Sequence, residues 1–419
     1  MIYREKLDNG IRIILEQMPS FRSVSMGVWI ATGSIKEVPG EEGASHFIEH
    51  MLFKGTEKRS ASEIAVEMDS LGGTLNAFTS KECTCFYAKV LDEHMENGAD
   101  ILADIVRHSK FDESEIEKEK GVVCEEILMV EDNPEELVHE LLCKTFYADD
   151  PLAKPILGTE SSVRSFTREK LLAYMDKHYI PSNIVIACAG NFETEKLLDT
   201  LKELFGSEMM GRASEYPESF YAAGKKFQSI EKDIEQMHVA LAMPGFSIDE
   251  EGQYPLFVLN NVIGGSMSSR LFQKIREQKG LAYSVYSYPS SYRSTGYFSL
   301  YAGTNEKQAD QVVKLMLDEL EDIRRNGISR DELERSKNQL KGGYMLGQES
   351  TSGRMNAIGK SELLRGVVYT EEEIMQRIER VSMDDVIAIV PHVLDESNIS
   401  GAFVGRMKNQ AASFEKLLT

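Results

Sequence analysis

The feature that most constrains the fold is a repeat of sequence between the two halves of the chain. Residues 257–265 can be laid over residues 46–54 at an offset of 211 positions, and residues 297–300 over residues 85–88 at an offset of 212. Both offsets are close to half of the 419 residues. Similar segments at one spacing indicate that a structural unit has been duplicated. The sequence therefore predicts two homologous domains.

Chain length and a break in pattern predict where these domains meet. A chain of 419 residues exceeds the size at which a single hydrophobic core is usual, so two or more domains are expected. From about residue 206 to residue 226 the sequence loses periodicity and gathers glycine, serine and proline, as linkers do. We expect an N-terminal domain at 1–210, a linker at 211–226 and a C-terminal domain at 227–419.

Local signals in the first half predict strands that alternate with helices. Residues 23–32 alternate in the way expected of a strand with one buried face. Residues 43–53 change to helical spacing. A further helix is expected to begin near Asp112 and to end at Asn133-Pro134, because proline cannot continue a helix and biases the preceding residue away from one.

The helix expected at 43–53 carries two histidines and a glutamate on one face. His46 and His50 are four residues apart, and side chains at this spacing lie about 5–6 Å from each other. Two imidazoles so placed can bind one metal ion. Glu49 points to nearly the same side, which puts a carboxylate beside a two-histidine metal site, where it can activate water. This order of residues is the inverse of the commoner His-Glu-x-x-His motif.

A catalytic zinc site usually takes three protein ligands and one water molecule, so a third ligand is needed. The remaining histidines are scattered along the chain, which favours a carboxylate. Glu119 and Glu126, on the helix after Asp112, are seven residues apart and share a face, whereas Glu125 points elsewhere. Spacing alone does not choose between Glu119 and Glu126.

Composition restricts the partners and the compartment. A net charge of −21 argues against nucleic acid or an acidic membrane surface as the main partner. Five cysteines, an odd number in a long chain, argue against a secreted disulfide framework. No apolar run approaches the ~18 residues of a membrane span. The first residues do not show the pattern of a signal or transit segment, so we expect none. We therefore expect a cytoplasmic bacterial protein that works away from membranes.

With these motifs, the chain resembles the pitrilysin/insulinase family of zinc peptidases, which carry the inverted motif. Glu126 follows His50 by 76 residues, a separation that suits the third metal ligand of that family. More closely, the chain resembles the half-length branch that includes mitochondrial processing peptidase and its bacterial relatives. The resemblance covers essentially the whole chain and is carried by residues 43–56, 72–80, 264–272 and 276–283.

The resemblance implies a fold and a metal centre. The expected fold class is α+β, with two homologous domains that each contain a largely antiparallel sheet with helices packed on one face. One zinc ion per chain is expected, with His46, His50 and Glu126 as its ligands. Glu119 would lie beside them and orient the ligands.

The resemblance also implies catalytic and substrate-binding residues. Glu49 would act as the general base for the attacking water. Arg276 and Tyr283 match the arginine and tyrosine with which the family holds its substrate, and they could stabilise the developing oxyanion. An extended peptide would pair with the backbone of a strand that contains Asn76, Ala77, Phe78 and Thr79.

The predicted function is that of a zinc-dependent endopeptidase that cuts peptides or unfolded protein segments inside a closed chamber. In the overlay of the two halves, Asn260 and Asn261 replace Glu49 and His50, so the second domain is expected to lack a metal site. We therefore expect a homodimer with two metal centres.

Two alternatives stay open at the level of sequence. A non-catalytic assembly or chaperone-like subunit could use the same fold, although such subunits have usually lost part of the motif. A precursor-processing peptidase would use the same chemistry on a different substrate. The sequence does not identify the substrate, and it does not separate processing from peptide clearance.

Overall fold

The structure, a computed structural model, describes residues 2–207, 216–222, 224–407 and 414. The chain divides into two compact units, each assembled from three stretches of sequence. Unit one comprises Met1–Ile127, Lys154–Pro217 and Met345–Val368. Unit two comprises Leu128–Ala153, Glu218–Tyr344 and Tyr369–Thr419.

Unit one is built around a sheet that has six strands in the described residues. These strands are β1 (Ile2–Lys6), β2 (Arg12–Gln17), β3 (Ser23–Ile30), β4 (Thr74–Thr79), β5 (Thr84–Leu91) and β6 (Ile184–Gly190). Their order is β1-β2-β6-β3-β5-β4. Neighbouring strands are antiparallel except β2 and β6, which are parallel. This leaves β1 and β4 as the edge strands.

The helices complete unit one. They are α1 (Ala44–Leu52), α2 (Ala61–Ser70), α3 (Met95–His108), α4 (Glu113–Asp132), α6 (Glu160–Arg164), α7 (Arg168–His178), α8 (Thr194–Phe205) and α12 (Thr351–Arg365). The last residues of α4 belong to unit two. Among all described helices, none has the length and apolar character that a membrane span requires.

The two faces of β3 show how the sheet of unit one is covered. Successive side chains of a strand point to opposite faces. Val24, Met26 and Val28 lie in the main core with residues of α1, α3 and α4. Gly27 and Trp29 face the other way, towards α12. The sheet therefore has helices on both faces.

Helix α12 lies unusually close to β3 because glycine stands at each close approach. A Cβ atom added at Gly359 would lie 2.3 Å from Nε1 of the buried Trp29, and one added at Gly27 would lie 2.5 Å from Sδ of Met355. At the start of α12, Thr351 and Ser25 share a hydrogen bond between hydroxyls, 2.9 Å long. These contacts join segments that are more than 320 residues apart in sequence.

Charged side chains hold the same helix along its length. Arg354 is buried and donates to both carboxylate oxygens of Glu16, with distances of 2.5–2.8 Å. Glu362, near the other end of α12, accepts a hydrogen bond of 3.1 Å from Arg12 and forms an ion pair of 3.2 Å with Arg4. The helix is thus tied to β1 and β2 as well as packed on β3.

Unit two repeats the topology of unit one. Its strands are β7 (Lys226–Glu231), β8 (Gln236–Pro244), β9 (Ala282–Ser291), β10 (Gly296–Asn305) and β11 (Ser400–Gly405). Their order is β7-β11-β8-β10-β9, with only β7 and β11 parallel among the described pairs. Strand by strand this matches β2-β6-β3-β5-β4. The sheet order therefore agrees with the duplication predicted from the sequence.

Unit two also has helices on both faces of its sheet. Its helices are α5 (Pro134–Tyr147), α9 (Gln253–Ile263), α10 (Ala309–Asn326), α11 (Arg330–Gly347), α13 (Glu371–Arg380) and α14 (Met383–Val393), with the end of α11 in unit one. Helix α5 covers one face, where His139 meets the hydroxyls of Tyr286 and Tyr288 at 2.9 and 2.8 Å. Residues of α9, α10 and α14 share the core of the other face.

The predicted α+β fold of two homologous halves is confirmed, with two additions. Each sheet carries one helix on the face opposite its main helical layer, where the sequence predicted helices on one face. The compact units also differ from the contiguous ranges 1–210 and 227–419, because α5 packs in unit two and α12 in unit one. Of the predicted linker 211–226, residues 211–215 and 223 lie outside the described residues, and Lys226 begins β7.

The close contact between Gly359 and Trp29 predicts that alanine at position 359 destabilises the fold, although alanine usually stabilises a helix. Gly359→Ala should lower the free energy of unfolding by roughly 1–3 kcal/mol, because the new methyl group overpacks the buried indole. Gly342→Ala is the matched control in α11, since a Cβ there meets nothing within 4 Å. It should raise the free energy of unfolding by up to about 1 kcal/mol through helix propensity. Urea unfolding followed by circular dichroism measures both, and a stabilising Gly359→Ala would contradict the close contact.

Candidate metal centre

Helix α1, which carries the His-x-x-Glu-His motif, is anchored at its start by a buried carboxylate. Gly43, the N-cap residue, has no side chain that could accept hydrogen bonds from the first N–H groups of the helix. Instead Glu37 accepts hydrogen bonds from the backbone N–H groups of Gly43 and Ser45, at 2.7 and 2.9 Å. A negative group at this position complements the helix dipole. Burial raises the pKa of Glu37 to about 7, although these two donors lower it.

The opposite sides of α1 have different surroundings. Phe47, Ile48 and Met51 are fully buried in the core of unit one, which fixes the rotation of the helix. His46, Glu49 and His50 occupy the other side at the spacing the sequence predicts. The ring centroids of the two histidines are 4.6 Å apart.

Helix α4 brings a third group to the two histidines. Its residues Ile116 and Val123 are buried in the core, which turns Glu126 towards α1. Oε2 of Glu126 lies 3.6 Å from Nε2 of His46 and 3.5 Å from Nε2 of His50. The ligand atoms of these three residues all lie within 4.8 Å of one another. Among the described residues, no other group of three potential metal ligands is brought so close.

The three residues fit a zinc ion. Ligand atoms about 2.0–2.2 Å from a tetrahedral zinc ion lie about 3.3–3.6 Å apart, as the histidine and carboxylate atoms do here. Oε2 of Glu126 is buried and has no hydrogen-bond partner in the described part of the chain. Burial and the neighbouring His50 lower the pKa of His46 to about 3, so this imidazole is neutral. Two imidazole nitrogens and a carboxylate oxygen that converge in this way are the kinds of ligand that zinc binds.

A second carboxylate, that of Glu119, contacts the other ring nitrogen of His50. Oε1 of Glu119 accepts a hydrogen bond of 2.7 Å from Nδ1 of His50. Its Oε2 forms an ion pair of 2.6 Å with Nζ of Lys54, and the Glu119 side chain is only 4% exposed. Burial raises the pKa of Glu119, but the bonds from His50 and Lys54 outweigh it and leave this pKa below the ordinary value. Burial lowers the pKa of His50, but the hydrogen bond with Glu119 and the surrounding carboxylates outweigh it and raise this pKa.

Sequence reasoning anticipated the place of Glu119 and missed Lys54. Lys54 lies just beyond the end of α1. The sequence does place this lysine four residues after His50, within the stretch 43–56. Nothing in the sequence pairs that lysine with a carboxylate 65 residues downstream, so its role becomes visible only in three dimensions.

Glu49 contacts the edge of the sheet. The hydroxyl of Thr79, at the end of β4, donates a hydrogen bond of 2.5 Å to Oε2 of Glu49. Burial raises the pKa of Glu49 most strongly. The hydrogen bond from Thr79 and the charge of His50 lower it, and the net pKa stays above that of an ordinary glutamate. A glutamate with a raised pKa is suited to accept a proton and to release it again.

The predicted substrate-pairing residues lie on β4, whose outer side has no neighbouring strand among the described residues. Asn76, Ala77, Phe78 and Thr79 pair with β5 on the inner side. Phe78 packs edge-on against Trp29, with ring centroids 5.5 Å apart. The strand is therefore an edge strand that reaches Glu49 at its end, and along it the N–H of Ala77 donates to Oδ1 of Asn76 at 2.8 Å.

Arg276 and Tyr283 lie together in unit two. The Arg276 guanidinium is stacked 4.7 Å from the ring centroids of Phe272 and Tyr283. Both residues line an open cavity of about 460 Å³ whose wall includes Glu235 and Asn305. Tyr283 is 76% exposed.

The positions in unit two that correspond to the metal motif serve a structural purpose. Asn261 is buried in α9 and donates hydrogen bonds to the Ser336 carbonyl at 3.4 Å and to Gln339 at 3.2 Å. Asn260 accepts a hydrogen bond of 2.7 Å from the hydroxyl of Ser287. These amides tie α9 to its neighbours within unit two.

Comparison with known proteins gives matches along most of the chain. Residues 12–160 match the model of the insulinase family (peptidase family M16), and residues 165–340 match the model described as the peptidase M16 inactive domain. The first match contains His46, Glu49, His50 and Glu126. The second contains none of them.

Solved structures share the fold. A structure titled peptidase M16 inactive domain, from Pseudomonas fluorescens, matches with a TM-score of 0.89 at 19% identity, covering 97% of this chain and 98% of the other. A protease from Helicobacter pylori matches with a TM-score of 0.89 at 21% identity, covering 96% and 99%.

Sequence relatives extend over nearly the same length. An uncharacterized zinc protease of Bacillus subtilis, YmxG, is 47% identical over 397 residues, covering 94% of this chain and 96% of the relative. An uncharacterized zinc protease of Streptomyces coelicolor, SCO5738, is 40% identical over 422 residues, covering 98% and 91%. Identity of this extent shows that the chain belongs to the insulinase family of M16 peptidases, as a member of the half-length type.

Proposed function

We propose that this chain is a zinc-dependent endopeptidase that holds one zinc ion between His46, His50 and Glu126. The observation that carries the proposal is the convergence of two imidazole nitrogens and one carboxylate oxygen next to the carboxylate of Glu49. That oxygen is buried and has no hydrogen-bond partner among the described residues. A zinc ion held by these three residues would lower the pKa of its water towards ~7 and would polarise the scissile carbonyl. The names of the relatives agree with this metal.

Glu49 is the proposed general base. It lies on the same side of α1 as the two histidines, so it can reach a water molecule held between them. Glu49 takes a proton from that water as the oxygen attacks the peptide carbonyl, and it then gives the proton to the nitrogen of the leaving amine. Its raised pKa lets it hold the proton between the two steps.

Strand β4 is the proposed docking site for the substrate backbone. An extended peptide can add as a further strand at an open edge, with affinity from main-chain hydrogen bonds and little demand on sequence. The hydrogen bond between Thr79 and Glu49 supports this placement, because it sets the end of the strand beside the base. Arg276 and Tyr283 would donate to the carbonyl oxygen as it becomes an oxyanion.

We further propose that two chains form a homodimer around a closed chamber, in the cytoplasm of a bacterium. Unit one contains the metal-ligand group, and the corresponding asparagines of unit two are engaged in structural hydrogen bonds. Each dimer would then hold two zinc ions, and each site would take Arg276 and Tyr283 from the partner chain. The substrates would be peptides or unfolded segments able to enter.

A non-catalytic assembly subunit is the alternative from another class, and the match of residues 165–340 to an inactive-domain model is the observation in its favour. That match covers none of the proposed ligands, whereas the matched stretch 12–160 contains all of them. Within the enzyme class, precursor processing and peptide clearance use the same chemistry.

Replacing the base should abolish cleavage and leave the metal in place. Glu49→Gln is expected to lower kcat by about 10²–10⁴-fold, because the amide cannot accept the proton of the water. Mass-spectrometric mapping of cuts in a diverse peptide mixture measures this. The matched control is Glu125→Gln, an exposed carboxylate next to Glu126 whose loss should leave cleavage unchanged. Wild-type cleavage by Glu49→Gln would overturn the mechanism.

Mixing two inactive chains tests the shared site. Glu49→Gln and Tyr283→Phe chains, combined in equal amounts after dissociation, should regain about a quarter of wild-type activity, because half the dimers are mixed and each has one intact site. Each variant mixed with itself is the control. If the mixture is no more active than its parents, Tyr283 acts within its own chain or not at all.

A further inference from the structure

The buried carboxylate of Glu119 joins Lys54 to one of the two histidines. Each of its oxygen atoms has its own partner: Nδ1 of His50 at 2.7 Å and Nζ of Lys54 at 2.6 Å. Lys54 follows the end of α1 directly, so the lysine and the histidine are fixed by the same helix. The link therefore connects His50 in α1 with the lysine just beyond the end of that helix, through a side chain of α4.

The ion pair with Lys54 determines how the Glu119 carboxylate can turn. A buried carboxylate is strongly destabilised unless both of its oxygens have partners. With Oε2 held by the ammonium group, Oε1 is the oxygen that faces Nδ1 of His50. A carboxylate oxygen accepts, so Nδ1 is the donor and carries the hydrogen. In the neutral ring the lone pair is then on Nε2, which lies 3.5 Å from Oε2 of Glu126.

The two histidines differ in the hydrogen bonding of their Nδ1 atoms. Nδ1 of His46 is buried and has no hydrogen-bond partner in the described part of the chain. Only His50 has its outer nitrogen held by a charged group. Of the two rings, only that of His50 is therefore oriented by a charged side chain, Glu119. Lys54 holds that carboxylate from its other oxygen.

We propose that Lys54 is a positioning residue of the metal centre, which fixes the ring and the tautomer of His50 through Glu119 without touching the metal ligands itself. This inference rests on the proposed zinc site. Groups that orient a metal-bound histidine typically change metal affinity by 10–100-fold when removed. Lys54 should change metal affinity in the same way, because it contacts Glu119 and Glu119 contacts His50.

The test is the zinc affinity of Lys54→Met, measured by competition with a chromophoric chelator. The affinity should fall about 10–100-fold, and Lys54→Arg, which keeps the charge, should recover most of it. Excess zinc should restore much of the peptidase activity of Lys54→Met. The matched control is Lys58→Met, which removes an exposed lysine paired with Asp100 at 3.6 Å and should leave zinc affinity unchanged.

A double substitution keeps the test decisive if Lys54→Met folds poorly. In a Glu119→Gln background the carboxylate is gone, so adding Lys54→Met should cause no further loss of zinc affinity. The absorption bands of cobalt-substituted protein give a second readout of ligand geometry, and they should shift in Lys54→Met and not in Lys58→Met.

Failure of this inference can be told from failure of the proposed function. If the wild-type chain binds one zinc ion tightly and Lys54→Met binds it equally well with the same cobalt spectrum, Lys54 has no positioning role and the zinc site stands. An additional loss of zinc affinity on adding Lys54→Met to Glu119→Gln would also contradict the inference. If the wild-type chain binds no stoichiometric zinc, the proposed function fails.

Discussion

The site depends on one electrostatic constraint: Oε2 of Glu126 is buried, faces the Nε2 atoms of His46 and His50, and has no hydrogen-bond partner in the part of the chain that the structure describes. A buried carboxylate oxygen left without a partner is costly, and it is tolerated when a cation completes the group. The separations of 3.5 and 3.6 Å are long for hydrogen bonds and suit ligands around one zinc ion. Much of unit one can be understood as the support that keeps these atoms facing each other.

That support comes from the buried sides of two helices. Phe47 and Ile48 fix the rotation of α1 against the core, and Val123 fixes α4. Glu37 holds the start of α1 through two backbone N–H groups, and Lys54 reaches Glu119 from beyond its end. The motif is therefore held from both ends of its helix. Because these contacts surround the three potential ligands, their geometry is set by the fold itself.

Local features of the fold could be predicted from the sequence, and distant ones could not. The helix at 43–53 and the break at Asn133-Pro134 depend on neighbours a few residues apart, and α1 and the end of α4 appear where expected. The position of α12 depends on Gly359 meeting Trp29, and no local pattern encodes that contact. Spacing left Glu119 and Glu126 equivalent because they share a face of α4. What separates them is the placement of α4 along α1, since Glu126 meets Nε2 of His50 while Glu119 meets its Nδ1.

The duplication gives the molecule two sheets of matching strand order, and only unit one holds a close group of three potential metal ligands among the described residues. The most direct test of that group is X-ray absorption spectroscopy of the zinc-loaded protein. We predict one zinc ion per chain with two histidine nitrogens and one carboxylate oxygen at about 2.0–2.2 Å, and no sulfur. Zinc with a sulfur ligand at about 2.3 Å, or with fewer than two imidazoles, would contradict the assignment of His46, His50 and Glu126.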